Sequence, residues 1–317
     1  MLTPSRRRVI RRRLMQAVPV LVLATFVVFG LLKLMPGDIA ITLAGENATE
    51  ERIAEIRTLY GLDRPFLVQY GSWLFNALQG DLARSLASGE AVAPSIARSF
   101  PNTLLIVCVA MSIALAVGIP LGVFAASRPH GARDRTVTAI ASLGIAVPNF
   151  WLAMILVSLL ALDMGWFPAT GSVPLGQDPA KALHHALLPA IALASGGVAE
   201  VSRQLRSSLV EIMSSQQVRT LHAKGLRPAV VLWKHGLKNV GVNLLTVATL
   251  LFNRMLAATV VVEAVFAIPG MGNLIVNAAL TRDLPVVQGV VFVMVLVVIA
   301  VNLVADVLYT VLDPRID

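Results

Sequence analysis

The sequence predicts an all-α integral membrane protein with six membrane-spanning helices and one small helical insertion. Three observations carry this. The 317 residues are 56% apolar and only 14% charged, where a soluble domain holds about a quarter charged residues. The apolar residues gather into six long runs, and mean hydropathy is +0.77. Lys and Arg are concentrated in alternate connecting segments, while the two short loops on the other side hold one each, as the positive-inside rule requires.

Taken in order, residues 1–13 carry Arg6, Arg7, Arg8, Arg11, Arg12 and Arg13. They resemble a twin-arginine or signal n-region. The following run, 14–35, is too long for a signal core and lacks a clear small-x-small cleavage site, so it is read as a retained first span. The other spans are expected at 102–126, 137–162, 186–201, 240–262 and 285–308, the fourth being the shortest. With the N-terminus inside, the inner segments also hold Arg128, Arg133 and Arg135, seven cations over 203–238, and Arg315. The two short outer loops hold only Lys181 and Arg282. Both termini, including the tail 313–317, are therefore expected to be cytoplasmic, and the +8 net charge reads as topology rather than nucleic-acid binding.

Residues 36–100 form an outer insertion with eight acids against five arginines. Thr49 is placed to cap a helix that Glu50 and Glu51 open and Gly61 closes, with Ile53, Ile56 and Leu59/Tyr60 as its apolar stripe. A second helix is expected over 70–78. The insertion is too small for a separate enzyme. It reads as a docking surface ahead of a stabilising lid.

No catalytic constellation is present. GxxxxGK[ST], HExxH, CxxC and GxSxG are all missing from the sequence. His184 and His185 are adjacent, so on a helix they face different ways and suit one metal ion poorly; no metal site is expected. Cys108, the single cysteine, is expected to be a buried, inert thiol. Among charges inside the spans, Lys33 and Glu263 lie near the outer interface, where snorkelling is the simple reading. Arg254 falls near the middle of the fifth span. It has two readings: a group lining the path that meets an anionic part of the cargo, or a structural pair with an acid on a neighbouring helix. Only Glu200 and Asp306 are acids at membrane depth, and both lie near one face, which disfavours a proton-coupled carrier.

The polar segment 202–239 is longer and more helical than a simple connection needs. Ser207, Ser208 and Glu211 continue the fourth helix, a short helix covers 217–224, Gly225 breaks it, and Pro228 opens the return arm. This is an elbow able to transmit motion to two spans at once. On composition alone, a basic loop meeting anionic lipid is an equal alternative.

Several motifs, in order and nearly end to end, resemble one family. Arg219-Thr-Leu-His-Ala-Lys-Gly225-Leu and His235-Gly-Leu-Lys-Asn239 are similar to the coupling-loop signature of ABC-importer permeases. So are Met35-Pro-Gly-Asp38, Tyr60-Gly-Leu-Asp63-Arg-Pro65, Pro148-Asn-Phe-Trp151, Glu263-Ala-Val-Phe-Ala-Ile-Pro269-Gly-Met-Gly272, Arg282-Asp283-Leu-Pro and Leu312-Asp313-Pro-Arg315. The nearest branch is the dipeptide/oligopeptide/nickel family, dipeptide-permease B type. Departures are Gln217 where Tyr is favoured, Leu221 where Ala is favoured, Asn243 where Pro is usual, and Arg254 at a usually small or neutral position.

The resemblance implies a type I importer permease (MetI-like) bundle over 101–312, forming half of a path for small peptides. Nickel chelates, glutathione and oligosaccharides are the alternative cargoes. It implies a second homologous permease subunit, two ATP-binding subunits that use ATP and Mg, and a periplasmic or lipid-anchored substrate-binding protein. The chain itself then binds no cofactor and sits in the bacterial inner membrane. Gln217, Val218, Arg219, Thr220, Ala223, Lys224, Gly225 and Leu226 would meet the ATPases, and Pro269, Gly270 and Gly272 would face the binding protein. A self-contained secondary carrier is the less favoured class, because inverted repeats and a midplane ion site are not evident.

Overall fold

A computed structural model describes residues 4–34, 39–44, 48–59 and 61–312. The expected end of the first span at Met35, the Met35–Asp38 motif, Tyr60 and the tail 313–317 lie outside the described residues. The described chain is helical, with one isolated antiparallel bridge between Arg84 and Ala91. The helices are α1 (Pro4–Lys33), α2 (Ile39–Ala44), α3 (Glu50–Leu59), α4 (Phe66–Leu78), α5 (Val92–Ala126), α6 (Ala132–Ala146), α7 (Asn149–Leu156) and α8 (Pro179–Met213). They continue as α9 (Gln216–Ala223), α10 (Pro228–Val230), α11 (Leu237–Asn239), α12 (Gly241–Val265), α13 (Met271–Leu280) and α14 (Leu284–Leu312).

Among the described residues, four helices are long and apolar enough to cross a membrane: α5, α8, α12 and Leu284–Val311 of α14. The remaining two expected spans differ from expectation. The apolar part of α1 is Met15–Leu31, about 26 Å of helix and so near the lower limit for a core of about 30 Å. The third span is broken: α6 and α7 meet at 92°. Pro148 is the cause. It brings no N–H, and it drives Val147 out of the helical region to φ −81°, ψ 120°. Beyond α7 the chain widens into a π-helical stretch, Val157–Asp163.

The helix that carries the fourth span is much longer than its apolar run. α8 runs 35 residues, because polar residues extend the helix at both ends of the apolar run. Asp178 caps it by accepting from the Lys181 N–H at 3.0 Å, which holds the Asp178 carboxyl below its ordinary pKa, and Pro179 fits the first turn.

The chain divides into two compact units. One comprises 10–100 with 273–300. Its centre is an aromatic cluster: Phe26 and Phe29 of α1, Phe66, Tyr70 and Trp73 of α4, and Phe292 of α14, with ring centroids 5.2–6.3 Å apart. The Tyr70 hydroxyl meets Thr25 Oγ1 and the Val22 carbonyl, each at 2.9 Å. Thr49 caps α3 as expected, accepting from the Arg52 N–H at 3.3 Å, and Ile56 is buried, but Leu59 points outward. The expected second helix begins earlier than expected, at Phe66. Asp283 is buried and accepts from the Ser85 hydroxyl and the Leu86 N–H, tying the 84–91 loop to the start of α14.

The other unit comprises, of the described residues, 4–9, 101–272 and 301–312. Here α8 is the axis, packed against α6, α7 and α12. α5 also approaches α8 closely: a Cβ at Gly118 would sit 2.8 Å from Val201, and one at Gly122 would sit 2.8 Å from the Ser202 carbonyl. Cys108 is exposed on α5, against expectation; Ile106, Val107 and Ala110 take the buried face, and the thiol falls on the opposite one.

Candidate functional site

The elbow is built from local signals. Met213 ends α8, and two serines turn the chain. Ser215 caps α9 by accepting from the Val218 N–H at 3.5 Å. At the other end the Leu226 N–H reaches the Leu221 carbonyl at 3.3 Å and the Gly225 N–H reaches the His222 carbonyl at 2.9 Å. These two bonds form a Schellman motif, with Gly225 as its left-handed residue at φ +79°. Arg227 is extended, and Pro228 opens the return arm.

Of the eight residues expected to meet a partner, Val218 is buried and Leu226 half-buried. Gln217, Arg219, Thr220, Ala223, Lys224 and Gly225 are exposed. The two departures in this helix separate. Gln217 faces outward. Leu221 is half-buried, on the same face as Val218 and at the position where a Schellman motif places an apolar residue opposite Leu226. Its bulk therefore serves the turn.

The arms of the elbow are held by packing. Val231, Leu232 and Gly236 lie buried in a π-helical stretch, and Leu232 and Val240 join Val123, Ala126, Leu205 and Leu209 in one apolar cluster. The Asn243 amide, where proline is usual, donates to the Ser208 hydroxyl and ties α12 to α8.

One contact escaped the sequence. Arg206, counted among the elbow's cations, instead grips Asp134 of α6. Its Nε donates at 2.9 Å and its Nη2 at 2.6 Å. Asp134 also accepts from the His130 N–H at 2.8 Å, and its side chain is 5% exposed. The signal was a single acid between Arg133 and Arg135, and charge pattern alone does not assign its partner.

At the opposite end of α12, Glu263 does not snorkel. It is fully buried and accepts from the Thr103 hydroxyl at 2.5 Å, while the same hydroxyl accepts from the Met271 N–H at 2.8 Å. Asn102 donates to the Pro269 carbonyl at 3.0 Å. Gly270 and Gly272 fold over the Glu263 carboxylate, and a Cβ at Gly270 would overlap it. Both glycines are buried, and only Pro269 of the three residues expected to face a binding protein is exposed.

Arg254 pairs with Glu200 of α8, Nη1 donating at 2.7 Å and Nη2 at 3.2 Å. The two histidines meet backbone carbonyls: His184 Nε2 lies 3.0 Å from Trp166 O, and His185 Nδ1 lies 3.3 Å from Gly171 O. Among the described residues no cluster of three metal-ligating side chains occurs.

Comparison with known proteins covers nearly the whole chain. Residues 118–317 match the family model of the binding-protein-dependent transport system inner membrane component, and residues 6–118 match that of its N-terminal region. A peptide transport system permease protein of Brucella abortus is 40% identical over 97% of this chain and 98% of its own length. The oligopeptide transport system permease protein AppB of Bacillus subtilis is 36% identical over 98% of each. The glutathione transport system permease protein GsiC of Salmonella choleraesuis is 36% identical over 96% of this chain and 97% of its own. Among solved structures, a chain of the MetNI methionine ABC transporter in inward-facing conformations aligns with TM-score 0.55 and 19% identity, over 69% of this chain and 96% of that one.

Proposed function

The chain belongs to the family of binding-protein-dependent transport system inner membrane components, and from that membership we propose that it is one permease subunit of an ATP-driven importer of small peptides. It forms half of the translocation path, beside a second homologous permease subunit. Two ATP-binding subunits supply the hydrolysis, using ATP and Mg, and a periplasmic or lipid-anchored substrate-binding protein delivers the cargo. The lipid bilayer is its solvent, with both termini and the elbow on the cytoplasmic side.

The observation that carries this reading is the elbow. α9 presents Gln217, Arg219, Thr220, Ala223 and Lys224 outward and buries Val218 inward. Its two arms run directly into α8 and α12, which pack on each other. A partner that grips α9 therefore moves both helices together. Capping at Ser215 and at Gly225 keeps α9 a rigid handle. The Asp134–Arg206 pair extends the same body to α6. On the outer side, exposed Pro269 stands on the Glu263–Thr103–Met271 knot, and that surface meets the binding protein.

Glutathione is the second cargo reading, favoured by the full-length similarity to the Salmonella protein. Both readings are tested by purifying the chain with its partners and measuring ATP-dependent uptake into proteoliposomes. Radiolabelled dipeptide, oligopeptide and glutathione serve as competing cargoes. Uptake by the chain alone, without ATP, would refute the importer reading.

A further inference from the structure

We propose that Arg254 and Glu200 form a charge-selective station in the path, at which a zwitterionic cargo exchanges ion-pair partners with the protein. The proposal rests on the permease reading above and names the cargo class: small molecules with both a free carboxylate and a free ammonium group.

Position is the first argument. Arg254 lies about 20 Å along α12 from Gly241 and about 17 Å from Val265, at the middle of the span. It lies on an outward stripe with Thr246, Leu250, Ala257, Val261 and Ala264. Its side chain is 64% exposed. A guanidinium that open at mid-membrane depth cannot face hydrocarbon, so this stripe faces water or another subunit across water.

Geometry is the second. Glu200 uses two guanidinium N–H groups, one on each terminal nitrogen. Arginine has five donors, so three remain for a second carboxylate beside the first. The other buried-end pair in this unit is a useful contrast. Asp134–Arg206 is also held by two bonds, but side-on through Nε and Nη2, with its carboxylate 5% exposed and its arginine 24%. That pair is closed as a clamp would be; the Arg254–Glu200 pair is open on the arginine side. Nor does the α8–α12 seam need the ion pair, because Gly197 already lets Met255 and Leu251 approach α8 closely.

Charge balance is the third. Arg254 is the sole charge between 241 and 262, and Glu200 the sole charge between 186 and 201. Without cargo they neutralise each other. A zwitterion replaces one internal pair by two, its carboxylate on Arg254 and its ammonium on Glu200, and leaves no charge unpaired at depth. A cargo blocked at either end strands one of the protein's charges.

The test uses the reconstituted transporter with one binding protein throughout. Uptake of a free dipeptide is compared with its C-terminally amidated and N-terminally acetylated forms. Arg254→Ala is expected to slow the free peptide about tenfold and to erase the free-to-amidated preference, and Glu200→Gln to erase the free-to-acetylated preference. Because the binding protein is unchanged, a shift in either ratio belongs to the path. Equal losses for all three peptides, or unchanged ratios, overturn the proposal. Co-purification of the ATPases scores assembly first. If Arg254→Ala does not assemble, Arg254→Lys carries the test, since it keeps the charge and loses the two-pronged geometry. Failure of both, rescued by exchanging the two residues, assigns the pair to structure and overturns the station. Absence of ATP-dependent uptake of any peptide by the wild type removes the permease reading instead.

Discussion

Replacing Gly225 separates backbone strain from partner contact. At φ +79° a residue with a Cβ pays about 1–2 kcal/mol for the left-handed conformation. Removing glycine's freedom from the unfolded chain returns about 0.4–1 kcal/mol. The net loss for Gly225→Ala is about 1 kcal/mol, roughly a fivefold drop in the capped form of α9. A Cβ here meets nothing within 4 Å, so side-chain size adds little within this chain. Gly225→Leu should therefore match Gly225→Ala in the isolated subunit, Gly225→Asn should cost less, and Gly225→Val more. Hydrogen exchange of amides 216–227 reads this directly. In the assembled transporter the expectation changes: leucine should uncouple more than alanine, because the proposed function seats the ATPase in the space beside Gly225. The measured quantity is peptide transported per ATP hydrolysed. Leucine far worse than alanine in the isolated subunit would refute the strain argument. Leucine equal to alanine in the assembly would refute the seating of α9.

Three further outcomes are expected. Arg206→Ala should cost about 2–3 kcal/mol in thermal unfolding, less than the about 3–5 kcal/mol of a fully enclosed pair because Arg206 is 24% exposed; the double variant Asp134→Asn/Arg206→Met should recover part of it. Glu263→Ala should cost about 2–4 kcal/mol by leaving a void and depriving Thr103 of its acceptor, and should partly suppress Gly270→Ala, whose new methyl would occupy the carboxylate's place; strictly additive losses would contradict this. Leu221→Ala should loosen the end of α9 by about 1 kcal/mol in hydrogen exchange, whereas Gln217→Tyr should leave it unchanged.

The helical membrane class, the elbow with its Gly225-to-Pro228 exit, and the cap at Thr49 were legible because each rests on chemistry within a few residues. Hydropathy, capping and left-handed glycine are local properties, and they need no knowledge of what packs where. The break at Val147–Pro148 was also written locally, yet an unbroken apolar run hid it, since hydropathy averages over a proline. Three other features were decided by tertiary structure. Glu263 is a buried anchor, because Thr103, some 160 positions away, supplies its hydrogen bond and two glycines close over it. Arg206 is a clamp rather than a partner contact, because α6 brings Asp134 to it. Arg254 is neutralised yet open, because α8 and α12 place Glu200 beside one edge of the guanidinium and leave the rest exposed. Sequence by itself determined where charges lie along the chain. Which charges meet, and which stay open, depended on how helices distant in sequence pack, since ion pairing falls off within a few ångströms and sequence separation carries no such distance.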